Sequence, residues 1–210
     1  MKFKKTDTIL QELKHHLPFT LTASLSAAVL VAILYLINRE YFIGVVSGLF
    51  EIMHPAHVLV SAMATATIYW KYNKSVVKTI LIGIVGAISI GSLSDIIFPW
   101  LAGNLFSLHT HFHLPIIEEP ILIIGVALIG SVAGMSLGMF RFSHSAHVFL
   151  SIFASLFYLL AFSVEMSTLV ILLISVLVFL AVYIPCCISD IVFPIFFIGK
   201  PCKKCGHWHD

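Results

Sequence analysis

Four histidines occur in two copies of one pattern, "HPAHV" at 54–58 and "HSAHV" at 144–148. In a helix, positions i and i+3 share a face, so His54 and His57 lie side by side, as do His144 and His147. Neutral imidazole is the commonest nitrogen ligand for transition metals. A second pattern also recurs, "SDIIFP" at 94–99 and "SDIVFP" at 189–194, and it supplies Asp95 and Asp190. Four histidines and two aspartates form a mixed nitrogen and oxygen set. Such a set suits Zn, Ni, Co, Fe or Mn better than Ca or Mg. One shared site and two symmetric sites both fit the spacing. The plainer alternative is that single buried histidines are hydrogen-bonded packing residues. The aspartates would then cap helix ends before Phe-Pro or bond the ring nitrogens of the histidines.

Other groups lie close to these in the chain. Glu51 stands one helical turn before His54, and its counterpart in the second copy is Arg141. The two can pair with each other, or Glu51 can act as a ligand or proton carrier. Arg141 reads more simply as an anchor of orientation. Cys186 and Cys187 precede Asp190 by four and three residues, on its helical face. Their thiols would favour Zn, Cu or Fe, although cysteine also serves as a small apolar packing residue. "HTHFHLP" carries His109, His111 and His113 at alternate positions, followed by Glu118 and Glu119. In an extended strand the three histidines share one side and would collect ions loosely. The tail "KPCKKCGHWHD" offers Cys202, Cys205, His207 and His209, a Cys2His2 set suited to Zn but without the intervening loop of a finger domain.

What positions these groups follows from composition. Hydrophobic residues make up 60% of the 210-residue chain and charged residues 10%, against about 25% charged in soluble domains. An aqueous fold cannot hide so much apolar surface, so the expected solvent is a bilayer. The expected partners are lipid and metal ions, not nucleic acid. The lysine-bearing N-terminus has no clean apolar run before Pro18 and no small-residue cleavage site, so it reads as a short amphipathic lead-in rather than a signal peptide. The four cysteines do not form a disulfide framework.

Six apolar segments can be read, at 19–37, 41–70, 77–102, 116–140, 143–162 and 167–198. Each reaches the ~20 residues needed to cross ~30 Å of hydrocarbon. Pro55 inside the long second segment predicts a broken or steeply tilted helix. Lysines cluster before the first segment, at 71–78 and after the sixth, with Arg141 between the fourth and fifth. By the positive-inside rule both termini are cytoplasmic, in a cytoplasmic (inner or plasma) membrane.

The repeat sets the architecture. Residues 44–58 align without gaps on 134–148, and "HLP" precedes the first segment of each half, at 16–18 and 113–115. The expected fold class is therefore an all-α integral membrane protein of six transmembrane helices in a 3+3 inverted repeat. The first repeat covers 1–102, an outer His-rich loop 103–115, the second repeat 116–199 and a cytoplasmic tail 200–210. Three crossings per copy turn the second copy upside down, as in many secondary transporters whose substrate sites lie at the repeat interface. The pairs Gly44/Gly48 and Gly134/Gly138 permit close helix packing, within the monomer or across a homodimer.

The block "GLFEIMHPAHVLVSA" resembles the helical histidine signature of nickel/cobalt-type permeases and related small inverted-repeat metal exporters. The resemblance covers about fifteen residues in each half. It departs from that signature in spacing, with His-x-x-His here and no Asp-His pair four residues on. By the resemblance, His54, His57, His144 and His147 would bind a transported metal. The expected function is a secondary transporter for a divalent transition-metal ion, with the ion bound near the membrane midplane and transport coupled to protons. An intramembrane metal-dependent hydrolase or oxidase, with Glu51 as its acid or base, is the enzymatic alternative. A haem-binding electron carrier is a third reading, but i, i+3 spacing favours two ligands on one ion over opposed axial ligands.

Overall fold

Asn38 separates two long helices by a single residue. Its non-helical backbone (φ −154°, ψ 89°) ends α1 (Lys5–Ile37), and its side-chain oxygen accepts the Tyr41 N–H at 3.1 Å to start α2 (Arg39–Tyr72). This is an N-cap of the usual asparagine type. The computed structural model describes residues 5–138, 140–163, 176, 178–183, 185–186 and 193–197. Every regular element among them is a helix. After Asn73 come α3 (Val76–Ser92), a wide turn at Leu93–Ile97 and α4 (Phe98–Leu105), which form one nearly continuous rod. A loop leads to the short α5 (Pro115–Glu118), then α6 (Pro120–Leu137), α7 (Phe140–Phe162) and α8 (Phe193–Phe196).

Among the described residues, three helices are long and apolar enough to cross a membrane: Arg39–Tyr72, Val76–Leu105 and Pro120–Leu137. Shorter apolar helical stretches run over Leu21–Ile37 and Ala146–Phe162. Their outward faces expose Leu25, Val29, Leu81, Val85, Ile121 and Ile129. Such surface is compatible with insertion into a bilayer.

Two prolines lie inside long helices without interrupting them. The chain is helical from Lys5 and runs through Pro18, so α1 starts well before the apolar segment does. Of the two readings of the second segment, the broken helix is excluded, because the 34-residue α2 runs unbroken through Pro55. The irregularity lies in the third segment instead. Phe98 N–H reaches back to the Leu93 carbonyl, a five-residue step. Pro99 has no N–H for the Asp95 carbonyl, so the regular four-residue ladder fails there and the helix widens.

α2 is the central element and packs against α7, α6 and α3. Small residues on α6 set its approach. A Cβ at Gly130 would collide with the Leu59 carbonyl, and one at Gly134 with the Met63 carbonyl. Thr67 Oγ1 donates to the Gly134 carbonyl across the same crossing, at 2.9 Å. The matched glycines of the first copy behave differently, since a Cβ at Gly44 or Gly48 would meet open space. Gly138 ends α6 with a φ of 61°, a left-handed cap natural to glycine. The two glycine pairs therefore align in sequence but do different structural work.

Candidate metal centre

At 1.5 Å per residue, His54 and His57 lie ~22 and ~27 Å along α2 from Arg39, in the middle of its length. Both are buried. Phe50, one turn earlier, stacks on the His54 ring with centroids 5.6 Å apart and planes 15° from parallel. Asp95 enters from the neighbouring rod at its widened turn, which buries Ser94, Asp95 and Ile96 together. Widened helical turns are frequent at functional sites, because the extra residue re-aims a side chain.

Asp95 is saturated with partners. Its Oδ2 lies 2.9 Å from His54 Nδ1 and 2.5 Å from His57 Nδ1. Its Oδ1 accepts hydroxyls from Ser94 at 2.9 Å and from Ser151 at 2.7 Å. A carboxylate offers about four lone-pair positions, and all four are used. Ser155 on α7 supports the arrangement by donating to the Ser94 carbonyl at 3.0 Å. A buried carboxylate is tolerated only with such a complete set of donors. The set draws on α2, the widened turn and α7, so it ties three elements together.

The second copy of the histidine motif meets the first. The His57 and His147 rings have centroids 4.4 Å apart at an angle of 33°. Two groups of three donors converge among the described residues: His54, His57 and Asp95, and His57, His147 and Cys186. All five residues are buried, and within each group the ligand atoms lie within 4.8 Å of one another. His57 belongs to both groups. Its second nitrogen, Nε2, is buried with no hydrogen-bond partner among the described residues.

The outer groups are arranged otherwise than as one side of a strand. Ser107 and His109 have positive φ, so the backbone there is not extended. His109 and His111 are exposed, while the His113 ring turns inward. Its Nε2 lies 2.8 Å from Glu51 Oε1 and its Nδ1 2.8 Å from Glu118 Oε1. A ring with a proton on each nitrogen satisfies both contacts as donor. His113 also stacks on Phe162 with centroids 4.5 Å apart. Tyr158 fastens the loop, its hydroxyl accepting the His113 N–H at 3.2 Å and donating to the His111 carbonyl at 3.0 Å. Glu51 thus pairs with His113, and Glu119 is exposed at the junction of α5 and α6. Phe50 touches both His54 and His113, so one ring separates the outer bridge from the buried centre.

His144 lies within α7, but its side chain falls outside the described residues, as do Cys187, Asp190, Cys202, Cys205, His207 and His209. Sequence reading missed the serines that hold Asp95. A signal was present, because Ser61 and Ser151 both stand four residues after the second histidine of their motif. Thr65 and Ser155 stand eight residues after it, on the same face. Comparisons with protein-family models, with curated proteins and with solved structures give no match.

Proposed function

We propose that this chain is a secondary transporter for a transition-metal ion, which binds among the buried histidines between the two halves. One observation carries the reading: His54, His57 and Asp95 form a closed, fully buried cluster facing His147, amid helices that are long and apolar. Ionisable groups are costly at that depth and mark ion pathways by default. The inverted 3+3 arrangement, with six crossings and both termini in the cytoplasm, belongs to this proposal. So does the likeness to nickel/cobalt-type permeases. Rocking of the halves about the histidines would expose them alternately to each side. Metal binding displaces protons from its ligands, which supplies a route to proton coupling.

Flux in proteoliposomes tests this. Zn, Ni, Co, Fe and Mn are offered one at a time, in both directions, with and without a pH gradient. Wild type is expected to move at least one of them, and His57→Ala none. Absence of flux for all five would overturn the reading.

A further inference from the structure

We infer that the ion is held by His57, His147 and Cys186, and that Asp95 is a positioning residue that does not touch it. That this ion is the cargo rests on the transport reading above; the binding site rests on its own donors.

Asp95 has no free position for an ion. Its two oxygens already take His54, His57, Ser94 and Ser151. No lone pair remains for an ion, and the two Nδ1 atoms are engaged with it. A carboxylate on Nδ1 holds the proton there and leaves Nε2 as a lone-pair donor, the usual partnership behind a metal-bound histidine. His57 Nε2 is that atom. It is buried and has no hydrogen-bond partner among the described residues, and a buried lone pair left unsatisfied is unfavourable until something binds it.

His147 and Cys186 supply the other donors. Both are buried, and their ligand atoms fall within 4.8 Å of each other and of a ring nitrogen of His57. A zinc-sized ion needs donors ~3.3–3.7 Å apart, so the three must draw in by no more than ~1.5 Å. Three protein ligands leave a fourth position open, which suits an ion that must enter and leave. The donor set also narrows the choice of metal. Two imidazoles and a thiolate favour Zn, Co, Ni or Cu(I), and disfavour Mn, Mg and Ca. Cys186, on this view, is a ligand rather than a packing residue.

Cobalt is the probe, since thiolate bound to Co(II) gives an intense near-ultraviolet charge-transfer band that nitrogen and oxygen ligands do not. The full chain is purified in detergent with Cys187, Cys202 and Cys205 replaced by serine, which leaves Cys186 as its one thiol. This protein is expected to show the band at one cobalt per chain. Cys186→Ser is expected to lose the band and bind cobalt at least tenfold more weakly. Asp95→Asn is expected to keep the band while affinity falls about 10–100-fold, as for partners behind a ligand. X-ray absorption at the cobalt edge on the single-thiol protein needs no Cys186 variant, and one sulfur neighbour is expected. Cobalt bound through nitrogen and oxygen alone would overturn the inference even if flux is observed. A sulfur-ligated cobalt in a protein without flux would overturn the transport reading and leave the site standing.

Discussion

His57 Nδ1 stands 2.5 Å from Asp95 Oδ2, although 38 residues of chain separate them. The contact joins the middle of α2 to the widened turn at Leu93–Ile97, and both partners are buried. Removing one partner of a buried pair costs more than the pair is worth, because the other is left without compensation. Asp95→Ala should therefore lower stability by about 3–5 kcal/mol. Asp95→Asn keeps an acceptor oxygen and should cost clearly less. Thermal unfolding in detergent, followed by far-ultraviolet circular dichroism, makes the comparison. Equal losses for the two variants would contradict the hydrogen-bonding role.

Ser151 donates to the same carboxylate from α7. Residues in one network do not act independently. A double-mutant cycle of Ser151→Ala with Asp95→Asn should give a coupling of about 0.5–3 kcal/mol. Ser136 bonds within its own helix, to the Val132 carbonyl. Its cycle with Asp95→Asn should be additive to within ~0.5 kcal/mol.

The crossing of α2 and α6 depends on missing side chains. Gly130→Ala and Gly134→Ala each drive a methyl into an α2 carbonyl and should destabilise by about 1–3 kcal/mol. Gly125, in the same helix, has nothing within 4 Å of its missing Cβ. Gly125→Ala should be neutral or stabilise by up to ~1 kcal/mol through helix propensity. Melting temperatures of the three variants, measured side by side, check the ordering.

The outer bridge should matter locally. His113→Ala removes contacts to Glu51, Glu118 and Phe162 together. Both ion pairs are part-exposed, so each is worth no more than ~1 kcal/mol. The amides of His111 and His113, which donate to the Phe162 carbonyl and the Tyr158 hydroxyl, should exchange roughly tenfold faster. Cobalt binding at the buried centre should persist. Hydrogen exchange read by mass spectrometry resolves the loop from the rest. A global rise in exchange would refute a local role.

Much of the helical framework was legible because its signals are local. Apolar runs long enough to span a bilayer identify helices whatever they pack against. Spacing alone puts His54 beside His57. Proline was an ambiguous signal. Pro55 sits in a helix so well supported by α3, α6 and α7 that one lost hydrogen bond does not break it. Pro99, outside any expectation of a break, accompanies the widened turn that presents Asp95. The outer histidines were misread for a related reason. Alternation predicts a shared side only in extended backbone, and positive φ at Ser107 and His109 removes that condition.

Composition and local spacing alone carry the helical elements and the two histidine pairs. Composition and a 3.6-residue period are properties of a single stretch of chain, and they need no partner to be read. Tertiary packing decided which atoms meet. His57 faces both Asp95 and His147, Cys186 joins them, and Ser151 takes the remaining face of the carboxylate. Those meetings depend on the seating of α7 against α2 and on the widened turn that presents Asp95. Each is a relation between elements far apart in the chain, set by where side-chain volume and buried hydrogen bonds can be satisfied together.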